Sequence, residues 1–474
     1  MSDEQIDVAD IQERIASGDK NLADRIMRYG EGLCGTRQFW MARRHELSDI
    51  IKQIGHQGLI FFTFSAADLH WPELHKLMEN DDHNEDQAES AKQRQQNIVD
   101  NPHIATWFFN KRFESFFNDV LVKQWELNDW WYRFEWQHRG SVHVHGIGKK
   151  ANAPIINWNT LKENEEERNK VIQYLDSIVM TINPGINAAI PERHPCQKRR
   201  EEITDDLQDY VELINKLQRH TKCSTSYCIR TKRNGQKVCR FDYPKDINDH
   251  TYIREDKHGQ PELVTERNDP LINPHNRLQL QGWRANVDVK PVLSIHAALQ
   301  YISKYVSKAE PKSAAFTEIF NQILNNSRPD ENPLTSVQKL LLNSIAERDI
   351  SAQETCHLLL SIPLYHSSRQ CVSLNLNAEV PRLLQGTGSN QENIATEEAG
   401  RMTKSALRKY WERAEQFQNF SMYKLYLTHK FVKGCWKRCE KENIVRIFPR
   451  PSALRNGDQW EEFCRVKVLL HVPH

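Results

Sequence analysis

No apolar run in this chain approaches the length of a membrane span, and Ile60–Phe64 is the size of a single strand. The sequence therefore predicts no membrane partner. The N-terminus, MSDEQIDVADIQERIASGDK, has no apolar core of the kind a signal peptide needs. A large charge excess is missing too: the formal net charge is +1, where nucleic-acid-binding chains usually carry an obvious positive surplus. A Gly-x4-Gly-Lys-Ser/Thr phosphate loop occurs nowhere, which excludes the commonest ATP-driven motor. There is no internal repeat. With no secretory signal, the 10 cysteines read as metal ligands or buried thiols rather than disulfides.

What is present suits a multidomain globular protein. Its 474 residues allow two to four domains, and 27% charged against 39% hydrophobic residues is ordinary for one. Charge is segregated rather than absent. Glu79–Glu89 and Glu163–Glu167 are acidic, while Lys198–Arg200, Arg230–Arg240 and Lys430–Lys441 are basic. Basic faces of this kind can track phosphates, although charge runs are more often plain solvated surface.

Residues 1–55 read as helical, with Phe39, Leu47, Ile50, Ile51 and Ile54 at helical spacing before Gly55. Ile60–Ser65 reads as a buried strand, Ile104–Gln124 as an amphipathic helix, and Asn286–Val292 as a strand before a helix at Ile295–Lys308. Beyond residue 311 the chain reads as mostly helical, with a polar loop at Gln385–Glu398.

Trp130–Ile147 reads as a β-hairpin in which His143 and His145 share one face, since strand side chains alternate. With His138-Arg139-Gly140 as the loop, Gly140 takes the left-handed third position, Glu135 falls opposite His143 and Gln137 opposite Ser141. Glu135 and Gln137 then join the two imidazoles as oxygen donors. A two-residue turn would bring His138 to that face instead. Two imidazoles and one oxygen leave open positions for water or phosphate on a divalent metal, Mg²⁺ or Mn²⁺. Unrelated imidazoles or a zinc-hydrolase fragment are the competing readings.

On the helix after Asn286–Val292, Tyr301 and Tyr305 lie about 40° apart and roughly 90–130° away from the stripe of Ile295, Leu299, Ile302 and Val306. They flank the apolar face, with Lys304 and Lys308 on the same side to meet phosphate or lower a phenol pKa. A metal beside an attacking phenol is the equipment for transesterification of DNA. A surface Tyr/Lys face with no chemistry is the alternative.

His220-x2-Cys223-x4-Cys228-x10-Cys239 has the spacing of a structural zinc site, with His194 and Cys196 as alternative ligands. Arg230, Lys232, Arg233, Lys237 and Arg240 surround it and suggest DNA contact, as does Arg139 in the hairpin loop. Cys435-x3-Cys439 reads as an isolated structural pair.

Together these segments resemble the replication-initiator (Rep) region of Helitron transposases, members of the HUH endonuclease superfamily. The resemblance is carried by Phe62–Leu74, by Glu135-x-Gln-x-Arg-Gly140-x-x-His143-x-His145, and by the cluster ending Cys239-Arg-Phe-Asp-Tyr-Pro244. It extends through Asn286-Val-Asp288, Tyr301-x-x-Lys-Tyr305-x-x-Lys308, Gln353–Asn375 and Ile444–Pro449. It implies an α+β fold: an antiparallel palm-like sheet with the tyrosine helix across it, spanning residues 56–310, with a small zinc-binding insertion at about 194–245. Residues 311–474 would be a linker region before a helicase. It implies metal-dependent nicking and rejoining of single-stranded DNA through a 5′-phosphotyrosine, in rolling-circle transposition. His143 and His145 would be metal ligands, with Gln137 or Glu135 as third, and Tyr301 ahead of Tyr305 as nucleophile. The family normally continues into a helicase, which this chain lacks and which would be supplied separately or lost. A nuclear location is expected in a eukaryote. Two rivals stand beside this reading: a Rep-like protein that binds DNA without cutting, and a zinc hydrolase built on the His pair.

Overall fold

A computed structural model describes residues 31–32, 34–78, 87–136, 140–221, 223–226, 228–305, 350–376, 382–383 and 402–474. The described residues fall into two compact units. One is drawn from 55–301 and 349–367, the other from 1–54, 302–348 and 368–474. Together they form a mixed helix-and-sheet fold with antiparallel sheets.

The first unit is organised by an antiparallel sheet of five strands. β1 (Leu59–Ser65), β2 (Leu127–Trp136), β3 (Val142–Lys150), β4 (Val287–Pro291) and β5 (Tyr365–Ser367) lie in the order β4-β1-β3-β2-β5. Alternation gives the sheet two unlike faces. Phe62, Phe64, Tyr132 and Phe134 point to the core, where Phe109 and Phe113 of helix α1 (Pro102–Phe116) meet them. Trp283 closes this aromatic layer, 5.6 Å between ring centroids from Phe64. The packing leaves no spare volume at Gly146, where a Cβ would collide with the Phe62 ring. α1 runs on as a π-helical stretch, Phe117–Gln124. The opposite face carries Phe61, Thr63 and Ser65 on β1, His143 and His145 on β3, Arg133 and Glu135 on β2, and Asp288 and Lys290 on β4.

After β3 the chain forms helix α2 (Asp206–Leu213), two short hairpins (Ile229–Thr231 with Lys237–Cys239, Tyr252–Glu255 with Pro261–Val264) and helix α3 (Arg277–Trp283). β4 then leads into helix α4 (Ile295–Tyr305). Helix α5 (Ala352–Leu359) packs beside α1, where the Thr106 hydroxyl donates to the Gln353 carbonyl at 3.0 Å.

The second unit departs from the mostly helical expectation. Between its helices, Cys371–Asn375 pairs in parallel with Ile444–Phe448, and His429–Val432 forms a hairpin with Cys435–Arg438. Both runs of the parallel pair are short, and they meet only through a contact distant in sequence. Leu374, Tyr410, Met422, Leu425 and Leu470 form its core. Helix Arg37–Ile54 is bound to the same strand: Gln53 exchanges two hydrogen bonds with the Val445 backbone, and Asp49 accepts from Arg446 and Arg450 at 2.9 and 2.7 Å. Burial works to raise the Asp49 carboxyl, but the two guanidiniums outweigh it and hold it below the usual range.

Candidate active site

The hairpin register sets the site. Glu135 lies opposite His143 and Arg133 opposite His145, and Gly140 is left-handed at φ +83°. On the other side of β3, Ser65 faces His143 and Thr63 faces His145. The Ser65 hydroxyl lies 2.8 Å from His143 Nδ1, and the Thr63 hydroxyl 3.0 Å from His145 Nδ1. An Nδ1–H donated to each hydroxyl leaves the Nε2 lone pairs free for a ligand. The two rings are nearly parallel, 12° between planes and 6.4 Å between centroids.

His145 Nε2 sits 3.1 Å from Glu135 Oε2. Adjacent ligands of an octahedral cation with bonds of about 2.1 Å lie about 3 Å apart, so this pair has the spacing of two ligands sharing one ion. The donor set of imidazole nitrogen and carboxylate oxygen, each imidazole steered by a hydroxyl, fits a divalent metal. Replacing Thr63 by Val and Ser65 by Ala removes both anchors without touching a candidate ligand. The double variant should bind Mn²⁺ about 10–100-fold more weakly by calorimetry. Equal affinity in variant and wild type would remove the anchoring role.

Helix α4 brings a phenol to this face. The Tyr301 ring lies against Phe61, and Phe61 in turn stacks at 6.3 Å on His145. One aromatic ring therefore separates the tyrosine from the imidazole. Ala298 and Ile302 are buried on α4, whereas Ile295 is 40% exposed. Ile295 opens the helix beside Ser294, whose hydroxyl caps the Ala297 N–H, so the apolar stripe starts later than the spacing predicts. Tyr305 ends the helix. The side chains of Lys304 and Tyr305, and all of Gln137, Arg139 and Lys308, lie outside the described residues.

A second centre forms from His220, Cys223, Cys228 and Cys239, whose ligand atoms all lie within 4.8 Å of one another. His220 Nε2 is 3.0, 3.6 and 3.4 Å from the three sulfurs in chain order. Tetrahedral zinc with Zn–S of about 2.3 Å and Zn–N of about 2.0 Å needs nitrogen and sulfur about 3.5 Å apart. The cluster could hold a metal such as zinc. Without an ion the thiols compete for protons: a hydrogen bond with Cys228 pushes Cys223 up to about 11. Burial works to raise Cys239, yet N–H donors from Tyr243 and Phe241 outweigh it and hold the thiol below its ordinary value. Arg230, Lys232, Arg233, Lys237 and Arg240 are all exposed around the hairpin.

His194 and Cys196 take no part in this cluster. His194 stacks face to face on His70 at 3.6 Å, and burial followed by the His70 charge lowers it to about 3. Cys196 is buried, which pushes its thiol up to about 12, near Arg284 and Arg112. Spacing alone could not separate these residues from the four that lie together.

The sequence reading missed Phe61, Thr63, Ser65 and Asp288 as members of the site. Asp288 faces Thr63 across β4 and β1, and its Oδ1 is buried with no hydrogen-bond donor among the described residues. Period-2 alternation along β1 was the available signal for the first three.

Residues 2–147 match a family described as the Helitron helicase-like domain at the N-terminus. The match ends just past His145, so it includes the His pair and stops before the Cys/His cluster and the tyrosines. No curated protein matches the chain.

Proposed function

Because the N-terminal region of this chain is Helitron-related, we propose that the protein nicks and rejoins single-stranded DNA in Helitron transposition, as an HUH-type tyrosine endonuclease. The observation that carries the reading is the line Tyr301–Phe61–His145, which brings a phenol to the face where two anchored imidazoles meet a carboxylate.

His143, His145 and Glu135 would hold the divalent cation, with Gln137 as the further oxygen donor. When bound, it withdraws charge from the non-bridging oxygens of the scissile phosphate. Thr63 and Ser65 keep both imidazoles in the tautomer that ligates. Phe61 supports the Tyr301 ring. In the cleavage step the Tyr301 Oη–phosphorus bond forms and the phosphorus–O3′ bond breaks. The phenol gives up one proton, and the departing 3′ oxygen takes one up. The phosphotyrosine conserves the ester, so a 3′-hydroxyl can reverse the reaction. Tyr305 would serve a second strand. The Cys/His cluster would hold a structural zinc, with its exposed basic residues on the DNA backbone.

A labelled single-stranded oligonucleotide carrying a transposon end, incubated with the protein and Mn²⁺, should yield a covalent adduct that survives denaturing electrophoresis. A product with a free 5′-phosphate and no adduct would favour a hydrolase. Binding without cleavage on every terminal sequence would favour a non-cutting Rep-like protein.

A further inference from the structure

We infer that the hairpin His429–Val432/Cys435–Arg438 in the second unit is a contact for the phosphate backbone of duplex DNA. Its two strands pair in a register that sets Lys430 directly opposite Lys437. Like charges facing each other across an antiparallel pair destabilise it. The turn between them is Lys433-Gly434, with φ of +49° and +82° at its two residues. That geometry favours asparagine or glycine at the first place, and a lysine there gains nothing from the turn. Lys430, Lys433 and Lys437 are all exposed, and none has an ion-pair partner among the described residues. Glu440 and Glu442 follow the second strand without pairing to any of them. Three unpaired lysines held at local cost on one narrow ribbon are explained by a polyanion that neutralises them.

The other face of the ribbon identifies the polyanion. Phe431 and Trp436 pair across the strands and turn inward. Trp436 packs edge-on against Tyr426 at 4.8 Å and against Phe431 at 5.3 Å, and Lys409 covers the Phe431 ring. The lysine face thus offers charge without an open aromatic ring. Single strands are held by stacking of their bases on such rings, whereas a duplex presents phosphates alone to a charged ribbon. The contact does not depend on chemistry at His143 and His145.

The test uses the full chain with Lys430→Gln, Lys433→Asn and Lys437→Gln combined, and a duplex of about 20 base pairs. Affinity should fall roughly 10–100-fold at about 100 mM salt, and the slope of log affinity against log salt should become shallower by roughly 2 to 3. The thermal midpoint should not fall, because the variant removes an opposed charge pair and suits the turn. Adduct formation on a short single strand should be unchanged, which separates this contact from the nicking reaction. Wild-type duplex affinity and salt slope in the variant would overturn the assignment. An equal loss on a single strand of the same length would overturn the choice of duplex.

Discussion

Phenylalanine at Tyr301 will abolish first-strand adduct formation while leaving the fold intact. The substitution removes one oxygen and keeps the ring that lies on Phe61, so packing over β1 is preserved. The lost oxygen is the atom that would become bonded to phosphorus. The rate of adduct formation should therefore fall by at least about 10³-fold, the scale at which removal of an essential group is usually felt. The same change at Tyr305 should leave the first adduct and impair the second transfer. His143→Ala and His145→Ala should each depress the rate comparably, and raising the Mn²⁺ concentration should recover part of that loss but none of the loss in Tyr301→Phe. Single-turnover assays with a labelled single strand, alongside thermal melts, separate these cases. An undiminished adduct in Tyr301→Phe would move the nucleophile elsewhere; loss only with Tyr305→Phe would reverse the order of the tyrosines.

The readable parts of this site are those set by local pattern. Alternation along 130–147 and a glycine at position 140 were enough to place Glu135 opposite His143, because a hairpin register follows from its turn. The Cys/His spacing likewise picked out four residues that the fold brings together into one group that could hold a metal. Contacts between distant segments were not readable. Thr63 and Ser65 meet the imidazoles only because β1 pairs with β3 in one particular register, and nothing local to either strand states it. The parallel pairing of Cys371–Asn375 with Ile444–Phe448 was hidden for the same reason, and a helical reading filled its place. Burial also overrode spacing: Cys196 and His194 have plausible separations but pack against Arg284 and His70 instead.

Once the Cys/His cluster is loaded with zinc, stripping the ion should loosen β4, and with it the approach to the tyrosine helix. His220 ends a segment that holds the sheet's edge: Asn286, next to β4, donates to the Leu217 carbonyl at 2.9 Å, and Asn273 N–H donates to the Gln218 carbonyl at 2.8 Å. His220 N–H itself donates to Leu271, Arg219 pairs with Asp269 at 2.8 Å, and Tyr243 stacks on the His220 ring at 4.6 Å. A bound ion would tie Cys223, Cys228 and Cys239 to His220 at a single point. Structural zinc in small modules contributes on the order of 10 kcal/mol of apparent binding free energy, far more than these few hydrogen bonds can replace. A chelator, or Cys239→Ser, should therefore raise amide exchange of Val287 and Val289 by at least about tenfold, and open the hairpin Ile229–Thr231/Lys237–Cys239 to protease. The ligands bind zinc only when deprotonated, so the same loosening should set in as pH falls and reverse as it rises. Full loss of zinc by elemental analysis with unchanged exchange along β4 would uncouple the two centres. Faster exchange that follows zinc content would make the cluster a brace for the strand that carries Asp288 and leads to Tyr301.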